Sequence, residues 1–151
     1  MGFLFMFNKF IFYSLCSLII WLPIPLGSNR PWAWAISEVF VFLLFFLHCL
    51  FNINKRNGFS PPLRTWPIFS LIGILLLTLL SQLIFSYSTD PIQTQIILLK
   101  TVSFFMFAWL ICTYTFDKKR MVTIIYSLII AGLFQAIYAT FLNLSSPSDT
   151  P

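Results

Sequence analysis

The stretch WPIFSLIGILLLTLLSQLIF, residues 66–85, decides the fold class. It contains no charged residue, its apolar side chains do not alternate with polar ones, and it is too long for a buried strand. Spanning a bilayer core takes about 20 mainly apolar residues in a helix. Because only helices and closed barrels satisfy their backbone groups in lipid, we predict that this stretch is a membrane-spanning helix.

The composition of the whole chain supports a membrane protein. Of its 151 residues, 59% are hydrophobic and 9% are charged, against roughly 45–50% and 25% in soluble domains. The mean hydropathy is +0.91. A small globule cannot hide this much apolar surface, and disorder requires the opposite composition. These values argue against a soluble enzyme, a nucleic-acid-binding module and a disulfide scaffold.

Four more apolar runs accompany the first, at residues 10–26, 34–51, 96–116 and 121–142. We therefore predict an all-α fold, a polytopic transmembrane helical bundle of about five membrane-spanning helices within residues 1–142. The polar residues 143–151 are predicted to be a tail on the outer face. That tail is either the end of a finished protein or a loop cut short of a sixth helix.

The basic residues predict the orientation of the helices. Those expected on one side of the membrane are Lys9, Lys55, Arg56, Arg64, Lys118, Lys119 and Arg120, and those expected on the other are Arg30 and Lys100. Cytoplasmic loops carry an excess of Lys and Arg. We therefore predict a cytoplasmic N-terminus and a location in the bacterial inner membrane, with the lipid bilayer as the first partner and no nucleic acid.

Few residues offer catalytic chemistry. The single histidine, His48, has no carboxylate pair or Cys/His cluster near it in sequence, and we interpret it as an interfacial residue of the second helix. The cysteines Cys16, Cys49 and Cys112 lie inside apolar runs, which is typical of buried small hydrophobes. We predict no metal and no cofactor.

The segment PIPLGSNRPWAW, residues 23–34, carries the most information about function. It breaks the first helix and places Asn29, Arg30 and Trp32 at the outer face. An arginine beside an amide can bind a pyrophosphate through forked, charge-assisted hydrogen bonds, and an indole face suits a sugar. The alternative is an arginine that only reaches the headgroups within an aromatic belt.

The pattern P-x-P-x-G-x-N-R-P-W-x-W resembles the N-terminal segment of the bacterial O-antigen ligase family, a superfamily shared with the O-antigen polymerases. The resemblance is specific over residues 23–34 and compositional elsewhere. It implies a membrane glycosyltransferase of lipopolysaccharide biosynthesis that moves a glycan from an undecaprenyl-pyrophosphate carrier to a periplasmic acceptor. It also implies that Arg30, with Asn29, Trp32 and Lys100, contacts the carrier pyrophosphate or the glycan.

The chain also departs from that family. Members usually have ten or more helices and a large periplasmic loop rich in arginine and histidine, and no segment here matches that loop. The resemblance therefore implies an N-terminal portion, inactive by itself, whose further partners are the remaining helices or other membrane subunits. The competing hypothesis is a small non-enzymatic membrane protein, either an accessory subunit or a permease fragment.

Three other polar residues of the predicted spans have open interpretations. Lys100 either reaches the headgroups or faces the carrier pyrophosphate. Glu38 is positioned to pair with Arg30 across the first outer loop. Gln135 lies near Gly132, Ala136 and Ala139, small residues that favour close helix packing, so we predict that this face packs against another helix with Gln135 hydrogen-bonding across it. The alternative is a role of Gln135 in contacting a substrate.

The dipeptide Asp90-Pro91 predicts the start of the fourth helix. An Asp at the N-cap and a Pro at the first helical position are both preferred there.

Overall fold

The computed structural model describes residues 2–22, 31–52, 65–87, 89–115 and 117–145, and within them every regular element is a helix. The five helices are α1 (Gly2–Trp21), α2 (Pro31–Asn52), α3 (Trp66–Ile84), α4 (Pro91–Tyr114) and α5 (Lys118–Ser145). The predicted all-α fold class is confirmed. α5 continues into residues 143–145, which we expected to begin the tail, and residues 146–151 lie outside the described part.

Four of these helices are long and apolar enough to cross a membrane, namely α2 to α5. In α1 the apolar stretch is the shorter Met6–Trp21. Large hydrophobic side chains are exposed along all five helices, as expected where lipid rather than water is the solvent. The chain is thus a multi-pass membrane protein by length and composition, while the side on which its N-terminus lies stays a prediction.

The chain divides into two compact units, one formed by Met1–Ser37 with Asp117–Pro151 and the other by Glu38–Phe116. In the first unit, α1 packs against α5. The guanidinium carbon of Arg120 lies 5.3 Å from the ring centroid of Phe12. About one turn further along α1 and two turns further along α5, Cys16 is hydrogen-bonded to Ser127. Because the residue numbers rise together, α1 and α5 run in the same direction.

In the second unit, α3 packs against α4 through an aromatic cluster. The Phe69 ring centroid lies 5.5 Å from that of Phe105 and 5.3 Å from that of Trp109. Phe69 is the one buried residue of α3. The rest of α3 is half-buried or exposed, so the helix is most fully buried at this aromatic cluster.

Hydrogen bonds between residues close in sequence define both ends of the connection between α3 and α4. Asp90 accepts hydrogen bonds from the backbone N–H groups of Ile92 and Gln93, both at 3.1 Å, which confirms the predicted cap. At the end of α3, Ser86 adopts a φ of 55°, and the N–H of Tyr87 donates to the carbonyl of Gln82 at 3.2 Å. That pattern is a Schellman-type helix end, with serine where glycine is usual.

The predicted packing face around Gln135 is not covered by any helix of the described residues. Gly132, Gln135, Ala136 and Ala139 are all exposed, and a Cβ added at Gly132 would meet nothing within 4 Å. α5 instead buries Ile124, Ser127 and Ala131, all of which precede Gly132 in the helix, and it packs against α1. In contrast to the prediction, no helix of the described residues packs against Gln135.

Candidate functional site

The buried face of α2 contains polar residues as well as apolar ones. Within the second unit this face comprises Glu38, Val41, Leu44, His48 and Asn52, spaced three or four residues apart. Such spacing places all five on one side of a helix. Since isolated polar groups are expensive inside a membrane, each polar member needs a partner.

His48 has its partners on its own helix and on α4. Its side chain is fully buried. The hydroxyl of Tyr114 lies 2.9 Å from its Nδ1, and the amide nitrogen of Asn52 lies 3.0 Å from the same atom. The Asn52 amide also donates to the His48 carbonyl at 3.1 Å. The His48 and Tyr114 rings meet edge to face, with centroids 5.4 Å apart.

The tautomer of the His48 ring decides the direction of these hydrogen bonds. With the ring proton on Nε2, Nδ1 accepts from the Tyr114 hydroxyl or the Asn52 amide. With the proton on Nδ1, the ring donates to the Tyr114 hydroxyl oxygen, and the Asn52 amide donates to the His48 carbonyl. The His48 ring is enclosed between α2 and α4 rather than exposed, while its position at the membrane interface stays a prediction.

A second polar interaction within this unit is electrostatic, between Glu38 of α2 and Lys100 of α4. The Glu38 side chain is 7% exposed, and its carboxylate interacts electrostatically with the half-buried Lys100 ammonium. Opposite charges attract more strongly where the effective dielectric constant is low. We call these two groups of residues the polar seam. The first group is Glu38 and Lys100, and the second is His48, Asn52 and Tyr114.

The two parts of the polar seam show the direction of α2 relative to α4. The residue numbers rise together in both contacts, so the two helices run in the same direction. Ten residues of helix separate Glu38 from His48, a distance of about 15 Å along the axis. The two contacts therefore lie at different depths, with the Glu38 contact nearer the predicted outer face.

Of the four predicted site residues, the structure places two. Asn29 and Arg30 lie outside the described residues. Trp32, in the first turn of α2, is 54% exposed, so its indole is available to a ligand. Lys100 lies in the polar seam, where its neighbour is Glu38. The predicted pairing of Glu38 with Arg30 stays a prediction.

Sequence reasoning missed Asn52 and Tyr114 as partners of His48. One signal was present: His48 and Asn52 stand four residues apart in an apolar helix, and polar residues within a membrane are functional candidates by default. The partnership with Tyr114 spans 66 positions of sequence. No local pattern reveals a contact of that range.

The described residues offer no site for a metal ion. They contain no group of three or more His, Cys, Asp or Glu side chains arranged to hold one. The thiols of Cys16, Cys49 and Cys112 are free. The chemistry of the polar seam is therefore that of one ammonium, one carboxylate, an imidazole, an amide and a phenol.

Comparisons with protein-family models, with curated proteins and with solved structures find no match for this chain.

Proposed function

We propose that this chain is part of a bacterial inner-membrane glycosyltransferase of the O-antigen ligase type, and that Lys100 contributes to binding the pyrophosphate of its lipid carrier. The observation that carries the proposal is the electrostatic interaction of the half-buried Lys100 with the buried Glu38. The resemblance of residues 23–34 to that family supplies the substrate class.

The Glu38–Lys100 contact suits a site that receives an anion. The carboxylate keeps the long Lys100 side chain in one place and offsets its charge while the site is empty. An undecaprenyl pyrophosphate brings more negative charge than one carboxylate. Charge-assisted hydrogen bonds from an ammonium to phosphate oxygens are among the stronger polar contacts in proteins, so the pyrophosphate competes well for Lys100.

The other predicted residues have complementary roles in this proposal. Arg30 and Asn29 hold the pyrophosphate with forked donors, and the exposed Trp32 contacts the first sugar. An acceptor hydroxyl attacks the anomeric carbon, a new C–O bond forms, and the bond to the pyrophosphate oxygen breaks with its electron pair. The hydroxyl proton passes to water. The cations stabilise the charge that develops on the leaving pyrophosphate.

A binding measurement tests this proposal without knowledge of the acceptor. The purified chain in neutral detergent is titrated with undecaprenyl pyrophosphate, with undecaprenol as the uncharged control, and binding is followed by tryptophan fluorescence. Lys100→Ala and Arg30→Ala are each expected to weaken binding of the pyrophosphate about tenfold or more, with undecaprenol unaffected. Lys119→Ala is the control, because it removes one charge outside the proposed site.

Equal affinity for the pyrophosphate and the alcohol would refute the proposal. In the complete protein, Arg30→Ala is expected to lower glycan transfer while membrane insertion stays at the wild-type level. Normal transfer by that variant would remove Arg30 from the mechanism.

A second candidate, a small non-enzymatic subunit of a membrane complex, is favoured by the uncovered helix faces. α3 buries only Phe69, and the described side chains of α5 from Gly132 to Phe141 are all exposed. Faces of this kind can pack against other membrane proteins. Failure to bind undecaprenyl pyrophosphate, together with stable co-purification of one membrane partner, would favour this candidate.

A further inference from the structure

The first half of α4 places an amide on the same face as Lys100. Gln93 precedes Lys100 by seven residues in this helix. Seven residues make nearly two turns, so the two side chains leave the helix within about 20° of the same direction, and their Cα atoms lie about 10.5 Å apart along the axis. Gln93 is exposed, whereas Lys100 is half-buried. One face of α4 therefore presents an ammonium and, nearer the start of the helix, an amide.

The surface between these two side chains is open within the described residues. Ile96 lies between Gln93 and Lys100 near the same face, and its side chain is 43% exposed. The Cα–Cβ bonds of an α-helix tilt toward its N-terminus, so the long Lys100 side chain leaves the backbone in the direction of Gln93. A ligand held at Lys100 can thus extend along α4 to Gln93.

The charge along this part of α4 changes sign at the start of the helix. Asp90 is exposed, and its carboxylate accepts hydrogen bonds from the backbone N–H groups of Ile92 and Gln93. These N–H groups are therefore already satisfied, and the carboxylate repels a phosphate at this position. Lys100 attracts one. An anionic group is favoured at Lys100, and a neutral group rich in hydroxyls is favoured beside Gln93.

We propose that Gln93 binds the first sugar of the carrier-linked glycan while Lys100 binds the pyrophosphate, an inference that rests on the function proposed above. A glutamine amide offers both donors and an acceptor, and a sugar hydroxyl can pair with either. In the carrier the first sugar is bonded directly to the pyrophosphate, so it lies next to the group that Lys100 binds.

This arrangement also orients the carrier. The sugar points toward the start of α4, which is the predicted outer face, and the lipid tail follows the apolar surface of α4 toward the bilayer centre. Gln93 is then a specificity-determining residue, because it contacts the sugar and leaves the binding of the pyrophosphate to Lys100.

The nearby Gln95 provides a matched control. It is also exposed and belongs to the same helix. Two residues of helix turn its direction by about 200° from that of Gln93, so Gln95 lies on the side of α4 away from Lys100. Replacing either glutamine removes the same amide from an exposed position. A difference in binding between the two variants therefore reports the face of α4 rather than the loss of a surface amide.

The test compares two ligands that differ by one sugar. The purified full chain in neutral detergent is titrated with undecaprenyl pyrophosphate, or with the same lipid carrying a single N-acetylglucosamine, and binding is followed by tryptophan fluorescence. Gln93→Ala is expected to weaken binding of the glycosylated lipid about fivefold and to bind undecaprenyl pyrophosphate within twofold of the wild type. Gln95→Ala is expected to bind both lipids within twofold of the wild type.

A third variant separates failure of this inference from failure of the proposed function. Lys100→Ala is expected to weaken binding of both lipids by a similar factor, because it acts on the pyrophosphate that they share. If that variant unfolds the chain, Glu38→Gln with Lys100→Gln removes the same ammonium without leaving a charged carboxylate behind. Thermal unfolding in neutral detergent checks the folding of every variant.

Two kinds of result would overturn the role of Gln93. If undecaprenyl pyrophosphate does not bind, or if loss of the Lys100 ammonium leaves both affinities unchanged, the proposed function fails and this inference fails with it. If the Lys100 variants weaken both lipids but Gln93→Ala binds the glycosylated lipid as tightly as Gln95→Ala does, only the sugar contact of Gln93 is refuted.

Discussion

The two units differ in where their charged and polar side chains lie. The first unit keeps its described basic side chains at the start of α5 and on α1 near that end, and its helices meet through apolar residues, one hydroxyl–thiol hydrogen bond and one cation–ring contact. The second unit buries a carboxylate, an imidazole and an amide on one face of α2. Polar groups therefore lie at helix ends in the first unit and between helices in the second.

The physical reason is desolvation. A charge at a helix end keeps contact with water and headgroups, so it contributes little to packing. A charge or amide between helices loses that contact and must be satisfied by a specific neighbour. We therefore expect substitutions in the polar seam to change stability more than substitutions on exposed faces.

The largest loss of stability is expected for His48→Ala. This change leaves a cavity in a fully buried position and removes the ring nitrogen that lies within hydrogen-bond distance of the Tyr114 hydroxyl and the Asn52 amide. The free energy of unfolding should fall by about 3 kcal/mol, measured by unfolding in mixed micelles with increasing SDS. Phe46→Ala is the control, because Phe46 lies on the same helix with its side chain exposed, and its effect should be below about 0.5 kcal/mol.

The next largest loss is expected for Lys100→Leu. The Glu38 carboxylate then stays buried without the ammonium, which should lower the free energy of unfolding by about 2 kcal/mol. The double variant Glu38→Leu with Lys100→Leu should recover most of that loss, since an apolar pair replaces an ion pair at little cost. A double variant no more stable than Lys100→Leu would show that the two side chains are not coupled.

A smaller loss is expected for Tyr114→Phe. The phenol ring stays in place and only its hydrogen bond to His48 is lost. The free energy of unfolding should fall by about 1 kcal/mol. Tyr126→Phe offers the matched control, since Tyr126 is 62% exposed on α5. If both variants lose the same amount, the Tyr114 hydroxyl does not stabilise the contact between α2 and α4.

The smallest effect is expected for Gln135→Leu. Its side chain is exposed, so the free energy of unfolding of the isolated chain should change by less than about 0.5 kcal/mol. Ser127→Leu on the same helix should be clearly destabilising, by about 1–3 kcal/mol, because it forces a larger side chain into the buried contact with Cys16. The reverse ranking would mean that α5 packs within the chain through its Gln135 face.

Local signals predicted the elements of the fold but not their pairing. The apolar runs were sufficient to predict helices, since lipid leaves the backbone few alternatives. Asp90 and Pro91 were sufficient to predict where α4 begins, because the cap involves only neighbouring N–H groups. The small-residue pattern around Gln135 predicted a packing face that no described helix covers, since such a pattern indicates that close approach is possible and not which helix approaches.

The amino-acid sequence by itself determined that this chain is a bundle of membrane helices, because hydropathy and length act on each segment separately. Only the tertiary structure decided which polar residues meet. His48 with Tyr114, and Glu38 with Lys100, join residues of two different helices far apart in sequence. Their association depends on which helix faces are turned towards each other, and that choice is made by the packing of the whole unit rather than by any one segment.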